Sequence, residues 1–373
     1  MTGGDAEPAA SVVILNYNGL HFLDACLTLL LAQELEPRRP GAGFEVLLVD
    51  NASVDGSSEH VRCRYPRVRV IDAGANLGFA AGNNLGIREA AGRYVVLLNN
   101  DTRVRPGWLA ALVAAADSDE AVGAVAAKLV FLDPPNTIQN AGSILLSDGS
   151  GADRGFREPD RGQYDRREEV FGACGASVLL RRRMLEDVGD FDETFFMYYE
   201  DTDLNWRMRL RGWRVLYEPA AVVDHVHAGS SVEWSPFFTF HVDRNRLLML
   251  AKNAPPRAVA RSYAAFVRLA ARNAVRGVVR PLRRRMRPLR PLFTPLMGPP
   301  NLELQRAFDQ TLPAEARHGS GFGRAKIHAK VLASLLRHLP GMLAKRRRIR
   351  SRRRVADSEI ERWTVPRELW RKT

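Results

Sequence analysis

Apolar residues in the N-terminal part of the chain come in short runs, and each run stops at polar residues. Val12–Leu15 ends at Asn16-Tyr17-Asn18-Gly19, and a leucine-rich stretch with helical spacing follows from Leu20 to Leu31. Phe44–Val49 ends at Asp50-Asn51-Ala52-Ser53, with a helix expected from about Gly56-Ser57. Val68–Ile71 leads into a Gly/Asn-rich turn and a helix through Gly86-Ile87, and Tyr94–Leu98 ends at Asn99-Asn100-Asp101. Continuous apolar runs of this length read as strands buried on both faces, and their alternation with helices predicts a mostly parallel, doubly wound α/β sheet. Ligands of such sheets sit beyond the carboxyl ends of the strands, so all four polar stops are expected to face one crevice.

The pattern loosens from Gly149 to Glu169, polar and without a period, which predicts a long surface loop able to move over the site. Order returns at Phe171–Ala176, and a helix is expected after Asp201 with Leu204, Met208 and Leu210. A boundary near Asn253, ahead of Pro255-Pro256, divides a catalytic domain at 11–253 from a C-terminal region at 254–373; residues 1–10 are expected to be disordered. Beyond the boundary Phe266, Ala270, Ala274 and Val278 recur at every fourth position, with Arg268, Arg272, Arg276 and Arg280 two residues out of phase, on the opposite helical face. This predicts a basic amphipathic helix suited to an anionic membrane surface. A second apolar segment, Val331–Leu343, runs directly into the basic cluster Lys345–Arg354.

Charge sharpens the division. Lys and Arg number 55 against 42 Asp and Glu in 373 residues, a formal net charge of +13, yet no acid lies between Asp243 and Glu303. Such asymmetry implies a polyanion or an anionic membrane as partner of the basic end. Cys26, Cys63 and Cys174 match no zinc spacing and no disulfide framework, which favours a reducing compartment. No apolar stretch approaches the roughly 18 residues needed to span a bilayer, and residues 1–10 hold no hydrophobic signal segment. The expected location is therefore cytoplasmic, peripheral on the membrane face.

Four places could carry chemistry. Asp50, after a strand, can accept hydrogen bonds from a base or ribose, or can simply hold a turn. Asp101, in Asn99-Asn100-Asp101, is placed to hold Mg²⁺ or Mn²⁺ against a diphosphate, with a solvated turn as the alternative. Tyr198-Tyr199-Glu200-Asp201-Thr202-Asp203 offers a general base among acids that could equally complement a helix dipole. His225, closing an apolar run, could ligate the same ion as Asp101 or be structural; at most one of His225 and His227 is expected to be a ligand.

The order of these segments resembles the family 2 glycosyltransferases, the inverting group with the GT-A fold, and within it the rhamnosyltransferase-like enzymes of bacterial cell-surface glycan assembly. The resemblance rests on Val13–Gly19, Val49–Ser57, Asn76–Gly86, Leu97–Asp101, Phe191-Asp192-Glu193, Glu200–Leu204, Arg211-Gly212-Trp213, and His225 with Gly229-Ser230-Ser231, over roughly residues 11–250. It implies that Asp50 contacts the nucleoside of a nucleotide-sugar donor, with Asn16, Asn83, Asn84 and Asn99 in the same donor-binding half. Asp101 and His225 would hold the divalent cation, and Asp201 would be the general base. Cys174, Gly175, Glu200 and Asp203 would shape the side taken by a glycan or lipid-linked saccharide acceptor. The family's Asp-x-Asp metal motif has Asn99 at its first position here, which keeps an oxygen but loses a charge. dTDP-rhamnose is the donor the resemblance favours slightly.

Two other classes fit less well. A nucleic-acid-binding protein could use the Arg clusters for phosphate contacts, but zinc-finger, RNP and helix-turn-helix signatures are missing, so no nucleic acid is expected. A dehydrogenase or nucleotidyltransferase would share the doubly wound sheet, but the first strand is followed by neither a Gly-x-Gly-x-x-Gly turn nor a P-loop.

Overall fold

The computed structural model describes residues 7–35, 43–226, 235–285 and 321–370. The expected disorder of the first residues falls largely outside these, as do Gly229-Ser230-Ser231 and the side chains of Arg276, Val278 and Arg280.

The N-terminal half is laid down as β1 (Ala10–Asn16), α1 (Leu20–Leu31), β2 (Phe44–Asp50), α2 (Ser57–Arg64), β3 (Val68–Asp72), α3 (Gly78–Glu89) and β4 (Tyr94–Asn99). The four apolar runs are these four strands. They pair in parallel in the order β3-β2-β1-β4, so the chain moves outward from β1 on one side and returns on the other. The reversal puts a switch point between the carboxyl ends of β1 and β4, where Asn16 and Asn99 stand, and a cleft must open there.

The chain continues with strands the apolar pattern did not separate, most of them in the same sheet and two in a small second sheet. After β5 (Thr102–Val104) and α4 (Trp108–Asp117) come β6 (Val122–Phe131), β7 (Ile138–Asn140), β8 (Ser143–Leu146), β9 (Gly151–Asp153), β10 (Glu168–Glu169) and β11 (Ser177–Arg181). The short α5 (Arg182–Val188), α6 (Glu200–Leu210) and β12 (Arg214–His225) complete this half. β11 is wedged between β4 and β6 and runs antiparallel to both, while β12 lies parallel to β6. The sheet is therefore mostly, not wholly, parallel. One hydrophobic layer, with Leu23, Leu27 and Trp108, fills the α1/α4 side, and a second, with Val13, Leu97 and Met208, fills the α3/α6 side.

The stretch from Gly149 to Glu169 is not a free loop. It contains β9 and β10, and Lys128 anchors it through Asp160 and Asp165, each at 2.7 Å. Turn-rich composition hid these two short strands; β9 pairs with the neighbouring β8, and β10 with the distant β12.

The C-terminal region consists of α7 (Pro236–Asn253), α8 (Pro256–Arg285), α9 (Gly321–Arg352), α10 (Asp357–Glu361), β13 (Thr364–Val365) and α11 (Arg367–Trp370). Ser235 caps α7 by accepting from Phe238 N at 3.1 Å, and Pro236 opens the helix where its missing N–H costs nothing. A third hydrophobic cluster crosses the expected boundary at Asn253. It joins Trp206 and Leu210 of α6, Leu247 and Leu250 of α7, Phe266 of α8, Val331, Leu335 and Met342 of α9, and Ile360 of α10. Phe266 and Ala270, expected to meet lipid, are buried in the protein, Phe266 against the His328 ring of α9 with centroids 5.2 Å apart. No helix among the described residues is long and apolar enough to cross a membrane.

Candidate active site

The polar stops of β1 and β2 form a bonded set. Asn16 Nδ2 donates to Asp50 Oδ1 and to Ser53 Oγ, both at 3.2 Å, and Asn100 Nδ2 donates to Asn16 Oδ1 at 2.7 Å. Ser53 N donates to the other Asp50 oxygen at 2.9 Å, so Asp50 also does the turn-holding work that its position allows. Asn99 ends β4 nearby. Asn83 and Asn84 depart from expectation. Asn83 donates to Phe79 O within its own helix at 2.9 Å, and Asn84 clasps Phe191 through both its amide nitrogen and its oxygen. Both are buried, Asn83 bonded within α3 and Asn84 tying α3 to the segment at Phe191.

Across the switch point the last residue of β12 meets the turn after β4. His225 Nε2 lies 3.1 Å from Asp101 Oδ1 and 3.5 Å from Asn99 Nδ2, with both His225 and Asp101 buried. On the far side of the ring, His225 Nδ1 is 2.8 Å from Gln139 Oε1. A side-chain amide oxygen only accepts, so Nδ1 carries a proton toward Gln139, and with Nε2 unprotonated the ring would present a lone pair on the side of the Asp101 carboxylate. Two electron-rich atoms held face to face, with the outer nitrogen fixed by a hydrogen bond, is the donor arrangement a divalent cation would satisfy. The residues present fit such an ion. Among the described residues there is no group of three or more His, Cys, Asp or Glu side chains able to hold a metal by itself, so further ligands would have to come from amide, solvent or substrate oxygens.

A cavity of about 430 Å³ opens from this pair, bordered by Asn99, Asp101, Cys174, Gly175, Glu200, Asp201 and His225, with Tyr198 and Phe238 at its rim. Asp201 sits on the first turn of α6. Its Oδ1 accepts from Thr202 N at 2.6 Å and its Oδ2 from Gly175 N at 3.3 Å, and burial raises its carboxyl above the ordinary value against the pull of these bonds. Burial, and then the charge of Asp201, push Glu200 well above the carboxylate range, and Glu200 Oε2 is buried without a hydrogen-bond partner. Burial likewise pushes the Cys174 thiol up, which leaves it un-ionised and no nucleophile. Asp203 is not on the acceptor side. It is fully buried behind α6 and bonded to Arg207, Lys252 and Asn253.

The segment that delivers Asp201 is strained. Phe196, Tyr198 and Tyr199 have φ of 64, 70 and 71°, a region bulky side chains avoid. Asn245 of α7 holds it, its Nδ2 donating to the carbonyls of Phe195, Met197 and Tyr198 at 2.8–2.9 Å. Gly78, at φ 77°, leaves room for the Phe196 ring, which a Cβ there would approach to 2.5 Å. Asn205 Oδ1 accepts from Ala173 N and its Nδ2 donates to Ala173 O, tying the Cys174-Gly175 wall to α6. Gln139, Asn245 and Asn205 were not singled out from sequence. Only Asn205 left a signal, as an amide four positions after Asp201 and so on the same side of the helix.

Comparison with known proteins bears on the family and the fold. The family model "Glycosyl transferase family 2" matches residues 11–189. An N-acetylglucosaminyl-diphospho-decaprenol L-rhamnosyltransferase of Mycobacterium tuberculosis is 34% identical over 244 residues, covering 59% of this chain and 76% of the relative. The chain belongs to glycosyl transferase family 2. The chain is also similar to the O-antigen biosynthesis protein RfbC of Myxococcus xanthus, 31% identical over 56% of this chain but only 16% of that longer protein. Among solved structures, GalNAc-T7 with UDP, GalNAc and Mn²⁺ superposes with a TM-score of 0.54 over 67% of this chain and 48% of that one; at 16% identity the likeness is one of fold, the GT-A fold.

Proposed function

We propose that this family 2 glycosyltransferase moves a sugar, with dTDP-rhamnose the favoured donor, from a nucleoside diphosphate to a lipid-linked saccharide, with inversion at the anomeric carbon. The observation that carries the reading is that Asp201 and the Asp101–His225 pair border one cavity. Asp101 and His225, with Asn99 beside them, would hold Mg²⁺ or Mn²⁺. When bound, such an ion offsets the charge of the departing diphosphate. Asp50 and Asn16 would receive the nucleoside at the ends of β1 and β2. Asp201 takes the proton of the acceptor hydroxyl, and that oxygen forms its bond to the anomeric carbon as the bond to the diphosphate breaks on the opposite face. A base with a raised pKa suits the task, since its affinity for the proton grows. Glu200, its carboxyl pushed up by burial, would in its protonated form donate a hydrogen bond to an acceptor oxygen. The Mycobacterium relative's name, with a decaprenyl diphosphate acceptor and a rhamnosyl product, supports this choice of substrates.

The same reading places the protein against the cytoplasmic face of a membrane, where a lipid-linked acceptor is found. The outward face of α9 suits that role. Leu336 and Leu343 are exposed there, flanked by Lys330, Arg337 and Arg347, and no acid occurs anywhere in the helix. The test of the catalytic reading is calorimetric titration with UDP, dTDP, GDP and CMP, each with and without Mn²⁺. Binding of dTDP that requires Mn²⁺ is the expected result; binding of none of the four would overturn the reading.

A further inference from the structure

A line of charged side chains runs from the C-terminal helix to the catalytic helix, and no step of the transfer uses it. Lys345 Nζ on α9 donates to Asp192 Oδ1 at 2.6 Å and to Thr194 Oγ1 at 3.1 Å. Asp192 Oδ2 accepts from Lys252 Nζ at 2.8 Å, and the same ammonium donates to Asp203 Oδ2 at 2.8 Å. Arg207 Nε at 2.8 Å and Asn253 Nδ2 at 2.7 Å complete the Asp203 carboxylate. Asp192, Lys252, Asp203 and Arg207 are all buried. Burial alone would raise the Asp192 carboxyl, yet Lys252 and Lys345 hold it well below the usual carboxylate range. Buried charges are tolerable only as a matched set, so each member fixes the position of the next.

The two carboxylates bracket the segment that matters. Asp192 precedes the strained stretch Phe196–Tyr199, and it also accepts from Thr194 N at 3.2 Å to start the 3₁₀ turn Glu193–Phe195. Asp203 follows Asp201 on the first turn of α6. Lys252 therefore closes a loop, 192–203, with Asp201 inside it. Lys345 grips that loop from the opposite side of Asp192. Arg346 and Arg350 add to the grip, donating to the carbonyls of Ala251 and Ala254 and of Asn253 at the end of α7. The basic cluster that looked like a lipid anchor is in this part an internal clasp.

We propose that Lys345 is a positioning residue for sugar transfer, setting through Asp192 and Lys252 the segment from which Asp201 reaches the acceptor hydroxyl. The inference rests on the reading of Asp201 as the base. A cleft of about 640 Å³ between α9 and the connection from α5 to α6 leaves Lys345 open to solvent, so its replacement need not disturb the core. Misplacing a reacting group by ~1 Å costs on the order of 100-fold in rate.

The test compares full-length wild type, Lys345→Met, Lys345→Arg and, as a control at an exposed arginine in the turn ahead of β3, Arg67→Ala. Transfer from dTDP-rhamnose to an N-acetylglucosaminyl-diphospho-polyprenol is followed together with Mn²⁺-dependent dTDP binding and Tm. The expected result is a kcat about tenfold or more lower in Lys345→Met, with donor KM and dTDP affinity within about twofold of wild type, recovered largely by Lys345→Arg and unaffected in Arg67→Ala. If Lys345→Met does not fold, Lys345→Gln, which keeps a donor without the charge, is read in its place. An unchanged kcat would overturn the inference, and so would a parallel loss of kcat, dTDP affinity and Tm, which marks a purely structural role. Wild-type protein that transfers no sugar would instead strike at the proposed reaction itself.

Discussion

Two adjacent carboxyls on the first turn of α6 have different surroundings and should titrate differently. Asp201 keeps three hydrogen-bond donors, while Glu200 Oε2 has no partner and burial pushes its carboxyl well up. The base works only when ionised, so transfer should fall as pH drops through the Asp201 pKa, which burial sets above the ordinary aspartate value of about 3.9. Asp201→Asn should abolish transfer and spare dTDP binding, whereas Glu200→Gln should leave the acid limb of kcat/KM where it is. A stability change accompanies the first. Because folding raises this pKa, the folded state binds the proton more tightly and the ionised form opposes folding. Asp201→Asn should therefore raise Tm at neutral pH, the gain fading as pH falls below the ordinary value; a Tm that drops at pH 7 would contradict the assigned shift. Gln139→Ala releases the His225 ring, and Mn²⁺-dependent dTDP affinity should weaken about tenfold, with metal-free binding unchanged in the same titration. At this scale the sequence revealed the residues that end strands, because a strand's last side chain must face the crevice. It did not reveal Gln139 or Asn245, whose partners lie far along the chain. Asp203 was misplaced for a reason already present in the sequence: two positions from Asp201 on a helix is a turn of roughly 200°, so the two cannot share a face.

Among the elements, helices α8 and α9 separate what periodicity can tell from what it cannot. Spacing by four identified an apolar face on α8, correctly, but a face carries no label for what covers it. Phe266 and Ala270 are covered by the protein, and the apolar positions still exposed on α9 are Leu336 and Leu343. Membrane attachment is thus better tested by point changes than by removing 254–373, which would uncover the third hydrophobic cluster. Leu336→Asp with Leu343→Asp should reduce flotation with phosphatidylglycerol vesicles severalfold while Tm stays within a few degrees; equal flotation would place the lipid contact elsewhere. Likewise β9 and β10 escaped notice because two- and three-residue strands have no period of their own.

For the whole molecule, the legible part was the part built from consecutive neighbours. β1 to β4 follow one another in sequence and sit together in the sheet, so local pattern sufficed for the donor half. The acceptor half draws on β9, the wall at Cys174-Gly175, α6 and α7, and its strand order was not readable, since β11 enters antiparallel between β4 and β6. Near the far end of the chain, β13 pairs with β8 beside β9, Trp363 lies under the Arg209 guanidinium at 4.1 Å, and Arg367 meets Asp148. This has a consequence for synthesis on the ribosome. On the proposed reading, the donor side is in hand once translation has passed His225 at the end of β12, but the wall behind the acceptor side waits for residues 363–367. A nascent chain would hold a donor before it could spend one, and catalysis would wait for that last short strand. A chain ended after Arg362 should then bind dTDP normally and transfer slowly; full activity in that shortened chain would show that the last strand is ornament to the site.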